Sequence, residues 1–255
     1  MKKDILISII TVCYNSSKTI EQTFQSVQKQ TYKNIEYIVV DGNSTDNTLD
    51  IIAKYNNIIT KNISERDNGL YDAMNKGIAL AKGDFIMFLN SDDVLNNMNT
   101  IQNIMHEIDK HSLNIVYGDI SFFKDDVNKI VRLWKSSKFK KQNICKGWHP
   151  PHPGFTVSKE IFNEVGVFNS KLKIVADYDF MLRCFNYKNL KIKYINNVIV
   201  KMRIGGASTT LKGVITSYFE FIYVLNKNNY SRLQITKMLL YRYIFKISQF
   251  IKIKY

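Results

Sequence analysis

The chain has 255 residues, 45% of them hydrophobic, with 3 prolines and 11 glycines, which suits one large domain with a full core and excludes a linker-rich or disordered chain. Net charge is +14, yet residues 1–179 hold 22 Lys/Arg against 21 Asp/Glu. The basic character therefore belongs to residues 180–255, where 14 Lys/Arg face one acid, Glu220.

In chain order, the β-branched run ILISIITV (5–12) predicts a buried, parallel strand. CYNSS is a turn, with Ser16 or Ser17 as helix N-cap, and Ile20, Phe24 and Val27 fall at helical spacing over 18–30. IEYIVV (35–40) is a second buried strand, ending in the turn-rich DGNSTD. TLDIIAKY (48–55) reads as a helix, a weak third strand follows at 58–63, and 70–83 is a helix with Gly83 as its C-terminal cap. DFIMFLN is the next strand. Alternation of strand and helix over about a hundred residues means an α/β fold, a mostly parallel sheet flanked by helices on both faces.

The second half is less regular. Helix 100–111 precedes strands at 114–123 and 128–134, joined by an acidic KDDV turn. WHPPHPG (148–154) is a rigid loop. Short helices are predicted at 159–166 and 176–187, a strand pair at 191–204, and helical periodicity from 214 to the end. The three cysteines, Cys13, Cys145 and Cys184, lack metal-ligand spacing and a catalytic partner, which predicts a reducing cytoplasm. MKKDILISII is not read as a signal peptide, and no uncharged run reaches the ~18 residues of a membrane-spanning helix.

In an open parallel sheet, ligands bind beyond the carboxyl ends of the strands. Here those ends carry TVCYN, DGNSTD and NSDD (90–93). No GxGxxG or GxxxxGKS stands among them, so dinucleotide and P-loop readings lose their main support. Carboxylates repel phosphate, but they hold a divalent cation that in turn neutralises phosphate oxygens. NSDD thus reads as half a metal site whose other half is a diphosphate, or as a plain helix cap or Asx-turn. Asp41, at the end of another strand, is placed to accept hydrogen bonds from a base or ribose.

The ordered motifs ISIITVCYN, IEYIVVDGNSTDNT, DNGLYDAMNKGIALAKGDFIMFLNSDD and ADYDFMLR resemble the GT-A glycosyltransferases of family 2, over roughly residues 5–210, and most of all the bacterial branch that builds capsule, O-antigen and exopolysaccharide. The resemblance implies a GT-A domain over 1–210 and a basic amphipathic extension over 211–255. It implies an inverting transferase that moves a hexosyl or N-acetylhexosaminyl group from a nucleotide-diphosphate sugar, a UDP-sugar above all. Thr11, Val12, Tyr14 and Asn15 would line the nucleotide pocket, Asp41 would contact base or ribose, and Arg66, Asp67 and Asn75 would stand near the donor. Asn90-Ser91-Asp92 matches the D-x-D metal motif with Asn in place of the first acid. Asp92 would then bind Mn2+ or Mg2+, with Asp93 behind it. Asp177 matches the catalytic base, Ala176 replacing the first acid of the usual pair. Asp179 is the competing candidate, since two residues apart on a helix the two acids cannot share a face. His152 and Arg203, with the GGASTT loop, would stand near acceptor or leaving diphosphate.

In the tail, Leu239, Leu240, Tyr243, Ile244, Ile247 and Ile251 fall on one helical face, and Arg242, Lys246 and Gln249 mark another. This suits an anionic bilayer surface, as the family's polyprenyl-diphosphate-linked acceptors would require, and suits equally a helix packed on the domain or in a homodimer. The apolar content argues against nucleic acid. A nucleotidyltransferase and a non-catalytic sugar-nucleotide binding protein stay open as other functions.

Overall fold

The computed structural model describes residues 5–205 and 210–251, without the side chains of Tyr243 and 245–251. The N-terminal half alternates as the hydrophobic pattern requires: β1 (Ile7–Cys13), α1 (Ile20–Gln28), β2 (Ile35–Asp41), α2 (Thr48–Lys54), β3 (Lys61–Ser64), α3 (Leu70–Leu80) and β4 (Phe85–Phe88). β5 (Val94–Leu95) and α4 (Thr100–His111) lead into β6 (Ile115–Phe123), β7 (Ile130–Trp134) and α5 (Lys141–Ile144). After a 3-10 turn at His152–Gly154 come β8 (Phe155–Ser158), α6 (Lys159–Val165), α7 (Ala176–Phe185), β9 (Ile192–Arg203), α8 (Leu211–Lys227) and α9 (Arg232–Ile251).

The strands form one sheet in the order β3-β2-β1-β4-β8-β6-β9-β5, with β7 beside the second half of β6. β3, β2, β1 and β4 are all parallel, and β6 with β9 is parallel too. The remaining pairings are antiparallel; only β6 with β7 is a short hairpin, and the others join strands far apart in sequence. Period-two alternation sends Ile10, Val12, Ile38, Val40 and Phe88 to a core under α3, α6, α7, α8 and the start of α9. It sends Ile9, Tyr37, Val39 and Met87 to a second core under α1, α2 and α4. Burial on both faces is what makes β1 and β2 continuously apolar.

Several local expectations are corrected. Thr19, not Ser16 or Ser17, precedes α1, with no side-chain cap, because Ser16 closes a turn with its carbonyl. Gly83 lies beyond α3, which ends at Leu80 with Ala81 after it, and its N–H donates to Ser8 Oγ. The expected strand pair at 191–204 is one strand. Its register against β6 slips between Tyr194 and Val198, where exposed Asn196 and Asn197 bulge. Gly118 of β6 makes room: a Cβ there would stand 2.7 Å from the Asn197 carbonyl oxygen. The expected apolar face of α9 is split. Leu239 packs on the core, whereas Leu240 and Ile244 are exposed, and Arg242 turns inward over the Phe221 ring at 4.7 Å. Tyr243, Lys246, Ile247, Gln249 and Ile251 of that expectation lie outside the described side chains, as does most of GGASTT.

Candidate active site

The loops after β1 and β2 are laced into one rigid edge. Asn15 N donates to Ser44 Oγ (2.8 Å), Thr45 N to Asn15 Oδ1 (2.9 Å), Ser16 N to Thr48 Oγ1 (2.8 Å) and Ser17 N to Asp46 Oδ2 (3.1 Å). The Thr48 and Ser17 bonds hold the Asp46 carboxyl well below the usual carboxylate range. A Ser16–Ser91 hydroxyl pair at 2.9 Å ties this edge to the NSDD turn. What the lacing presents is Tyr14, 62% exposed. Beside it lies bare backbone at Gly42, where a Cβ would stand 2.5 Å from Asp67 Oδ2 and 3.4 Å from the Tyr14 ring. Tyr14 and Asp67 therefore crowd the Gly42 backbone, and any larger residue there would push the Asp67 carboxylate aside.

Other expected donor residues are brought to this edge but face elsewhere. Thr11 is fully buried and bonds the Tyr37 hydroxyl at 3.0 Å, and Val12 sits in the core, so both support the edge from below. Asp41 is buried too, its carboxylate taken up by Ser44 N (2.9 Å), Ser44 Oγ and Ser64 Oγ (2.7 Å). It shapes the DGNSTD turn in place of offering itself to a base. Arg66 is exposed, with its carbonyl accepting from Lys76 Nζ at 2.7 Å. Asn75 uses both ends of its amide on Phe168, donating to its carbonyl (2.9 Å) and accepting from its N–H (3.0 Å). That clamp faces the α7 side and not the donor edge.

The NSDD turn explains its own composition. Asp93 is 0% exposed and accepts from Asn90 Nδ2 (2.8 Å) and Arg203 N (3.1 Å). Thr23 Oγ1 on α1 donates to its carbonyl at 2.7 Å. A third acid at position 90 would add another negative charge beside buried Asp93, where Asn instead donates a hydrogen bond. Burial first, and the Asp92 charge second, push the Asp93 carboxyl well above its usual range. Burial also raises the half-buried Asp92, with the Arg203 charge opposing. The Asp92 carboxylate accepts no hydrogen bond from any other described residue. Arg203 itself donates to the Lys124 carbonyl (2.9 Å) and Gln22 Oε1 (2.8 Å) and lies 4.6 Å from the Phe123 ring centroid.

A raised carboxyl makes a signed prediction. The folded chain keeps a proton on Asp93 that the unfolded chain sheds at about pH 4, so stability falls as pH rises from there through the folded value. Asp93→Asn removes this slope: its melting temperature should change less between pH 5 and pH 8 than that of the parent. Parallel melting-temperature curves for the two proteins across that range would refute it.

The donor set available to a metal is small. Among the described residues no group of three or more His, Cys, Asp or Glu converges. Asp92 offers one carboxylate, while Asp93 is engaged on both oxygens. That fits a hard cation shared with a diphosphate and water, and not one caged by protein alone.

Across the β4 end, Phe88 stacks on His152 at 5.7 Å, and His152 lines the cavity that also contains Asp177. Asp177 opens α7 and is half-buried; its Oδ1 accepts from Tyr178 N (2.8 Å) and Tyr71 Oη (3.3 Å). Asp179 is 2% exposed and paired with Arg183 at 3.0 Å, which also bridges the carbonyls of Val165, Gly166 and Val167. The two acids thus part ways: Asp179 is a buried ion pair and Asp177 faces the cavity, so neither is a solvated first-turn acid. Burial lowers His152, with Asp177 opposing, and lowers His149 to about 4, helped by the Arg242 charge, so both rings are neutral near pH 7. Cys13 and Cys184 are buried with thiols pushed up, and Cys145 is exposed, as expected for non-catalytic residues.

Two residues at this site escaped the sequence. Tyr71 stands in the quoted LYDAMNKG run, but only the helix register shows its hydroxyl reaching 106 residues ahead. Glu220, the one acid of the basic region, accepts from Lys173 N (2.7 Å), Ile174 N (2.9 Å) and Val175 N (3.1 Å), the three residues that lead into α7. Its isolation in charge was the available signal.

Comparison with known proteins places the chain by family and fold. The model of the family described as glycosyl transferase family 2 matches residues 8–166. A PGL/p-HBAD biosynthesis glycosyltransferase of Mycobacterium tuberculosis is 32% identical over 215 residues, covering 81% of this chain and 80% of that one. S. aureus TarS 1-349, solved with UDP-GlcNAc, superposes with a TM-score of 0.67 at 21% identity, over 87% of this chain and 67% of that one. The chain spans 40% of the chain in another TarS structure. The mannosyltransferase PcManGT from Pyrobaculum calidifontis, solved with GDP-Man and Mn2+, gives a TM-score of 0.66 at 14% identity, over 94% and 70% of the two chains. With more than half its length matched by the family model, this chain belongs to glycosyl transferase family 2.

Proposed function

We propose that the chain is an inverting glycosyltransferase that moves a hexosyl or N-acetylhexosaminyl group from a UDP-sugar to the hydroxyl of a saccharide acceptor, free or lipid-linked, in cell-surface polysaccharide synthesis. One observation carries the reading: a carboxylate that accepts no hydrogen bond from any other described residue, Asp92, lies at the strand-end edge, and a second, Asp177, lies in a cavity beyond Phe88 and His152. The nucleotide lies against Tyr14, Asn15 and Asp67, over the bare Gly42 backbone. Asp177 takes the acceptor proton while the acceptor oxygen bonds the anomeric carbon. The bond from that carbon to the diphosphate breaks on the opposite side, and its electron pair leaves with UDP. Tyr71 and the Tyr178 N–H hold the Asp177 carboxylate in place. Mn2+ or Mg2+, held by Asp92 with Asn90, Ser91 and Asp93 shaping the turn, supplies charge neutralisation at the diphosphate. Arg203 adds positive charge to the same corner.

The test is a thermal-shift panel of nucleotide diphosphates and sugar nucleotides with and without Mn2+. UDP or a UDP-sugar with Mn2+ should stabilise the protein, Mn2+ alone should not, and Asp92→Ala should lose the metal-dependent part of the shift. No shift with any nucleotide sinks the reading. Nucleotide binding without metal-dependent release of UDP to any acceptor favours a non-catalytic binding protein.

The division at residue 210/211 gives the extension its own role. No helix among the described residues is long and apolar enough to cross a membrane. On α8, however, Leu211, Ile215, Phe219 and Tyr223 are exposed at four-residue intervals, with Lys212 and Lys227 on the same helix, and α9 opens with Arg232 and Lys237. An apolar stripe beside cations suits the surface of an anionic bilayer. The protein should float with phosphatidylglycerol vesicles but not with phosphatidylcholine vesicles, and Phe219→Asp should weaken flotation. Equal recovery with both lipids would remove the membrane from the proposal.

A further inference from the structure

The cavity beside Asp177 has a volume of about 510 Å³ and is built jointly by the sheet, the His-Pro loop and the two C-terminal helices. Half its wall lies beyond residue 166, outside the stretch the family model matches. The wall is mostly rings and aliphatic carbon, with Phe122, Trp134, Trp148, Phe221 and Leu239 among its members. Several of its polar groups are already engaged. Ser217 Oγ donates to the Val214 carbonyl at 3.0 Å, and His149 Nδ1 lies 3.0 Å from the Pro150 carbonyl. Arg132 and Arg242 lie over the Phe122 and Phe221 rings, at 3.5 and 4.7 Å. One hydroxyl breaks the pattern. Tyr178 is one of the lining residues, and its Oη is buried with no hydrogen-bond partner among the described residues. A buried orphan hydroxyl is costly unless a ligand completes it.

Asn143, Lys146, Tyr218 and Tyr241 add polar groups to the lining, but against Phe122, Trp134, Trp148, Phe221 and Leu239 the hydroxyls of a plain sugar would lose water with little to replace it. A ring or chain of carbon would lose nothing and gain contact with the aromatic faces. Resting on the transferase reading of Asp177, we propose that this cavity is an acceptor subsite for an apolar aglycone. The acceptor is an amphiphile whose attacking hydroxyl stands at Asp177 and whose aryl or alkyl portion lies between the sheet and α8.

Both tryptophans of the chain, Trp134 and Trp148, line the cavity, so intrinsic fluorescence reports on its contents without turnover and without knowledge of the acceptor sugar. The probes are methyl, octyl and phenyl β-glycosides of glucose, galactose and N-acetylglucosamine, with octyl glycosides kept below micelle formation. The expected result is saturable change with the phenyl or the octyl series at least tenfold tighter than with the matching methyl glycosides. The tighter of the two series identifies the aglycone as aryl or alkyl. Val214→Phe and Ser217→Phe, which fill the cavity from α8, should each weaken that binding at least tenfold while leaving the UDP thermal shift unchanged. Equal affinity for methyl and apolar glycosides, or full affinity in both filled variants, overturns the proposal. The UDP shift measured on the same samples separates the two failures: if it persists, the aglycone subsite alone is wrong; if it is absent, the transferase reading is wrong as well.

Discussion

Asp177→Asn is expected to lower turnover about 10³-fold, within the range that general-base catalysis supplies, while UDP binding stays as it was. The substitution is isosteric. The oxygen of the new amide still accepts from Tyr178 N and Tyr71 Oη, so the cavity wall and the start of α7 keep their shape. What is lost is the group that receives the acceptor proton, and no other carboxylate lines the cavity. Asp179 cannot take over, because its charge is committed to Arg183 in a buried pair. Steady-state release of UDP, with nucleotide affinity from thermal shift, checks both halves. Turnover within threefold of the parent would remove Asp177 as the base.

Glu220→Ala is expected to lower turnover about tenfold to a hundredfold, again with little change in UDP affinity. Glu220 holds three consecutive N–H groups of the segment entering α7, and hydrogen bonds to a charged group are worth about 1.5–3 kcal/mol each. Without them the 173–175 backbone loses the geometry that presents Asp177, and displacement of a catalytic group by about 1 Å costs about a hundredfold. Tyr71 Oη, which bonds both the Ile174 carbonyl (2.8 Å) and Asp177, shares the task from the other side. Glu220 acts through this segment and touches no reacting atom, so kcat should fall without a matching rise in the donor KM. Glu220→Gln keeps one acceptor oxygen and should fall between parent and Ala. A Gln variant as slow as the Ala variant, with both melting like the parent, would refute the clamp.

The parallel half of the fold was legible because each strand there is buried on both faces and writes itself as an apolar run. β1, β2 and β4 end within a residue or two of where their hydrophobicity ends. β5 and β8 were not legible. Two and four residues carry no period, and their partners, Val200–Lys201 and residues of β4 and β6, lie far along the chain. β9 read as two strands because Asn196-Asn197 interrupts its pattern, whereas the sheet absorbs that pair as a bulge against Gly118. At the site, acids at strand ends announced the NSDD turn. The direction of each carboxylate was not readable: Asp41 and Asp93 turn inward to bond their own surroundings, while Asp92 does not. Such choices depend on which donors, here Ser44, Ser64, Asn90 and the Arg203 backbone, the fold arranges around them.

The bond from Arg203 N to Asp93 spans 110 positions of sequence. Closing a loop of that length comes late in folding, after the local strand–helix units have formed. β9 is also the strand that pairs β5 at Val94–Leu95, directly after the NSDD turn. A chain emerging from the ribosome therefore completes the first four strands long before it has an assembled acidic corner. Until residue 203 is available, the nascent protein has a Rossmann-like sheet but no means to fix Asp93. Nucleotide-sugar binding should accordingly appear together with the docking of β9, so that donor affinity follows the closing of this long-range contact.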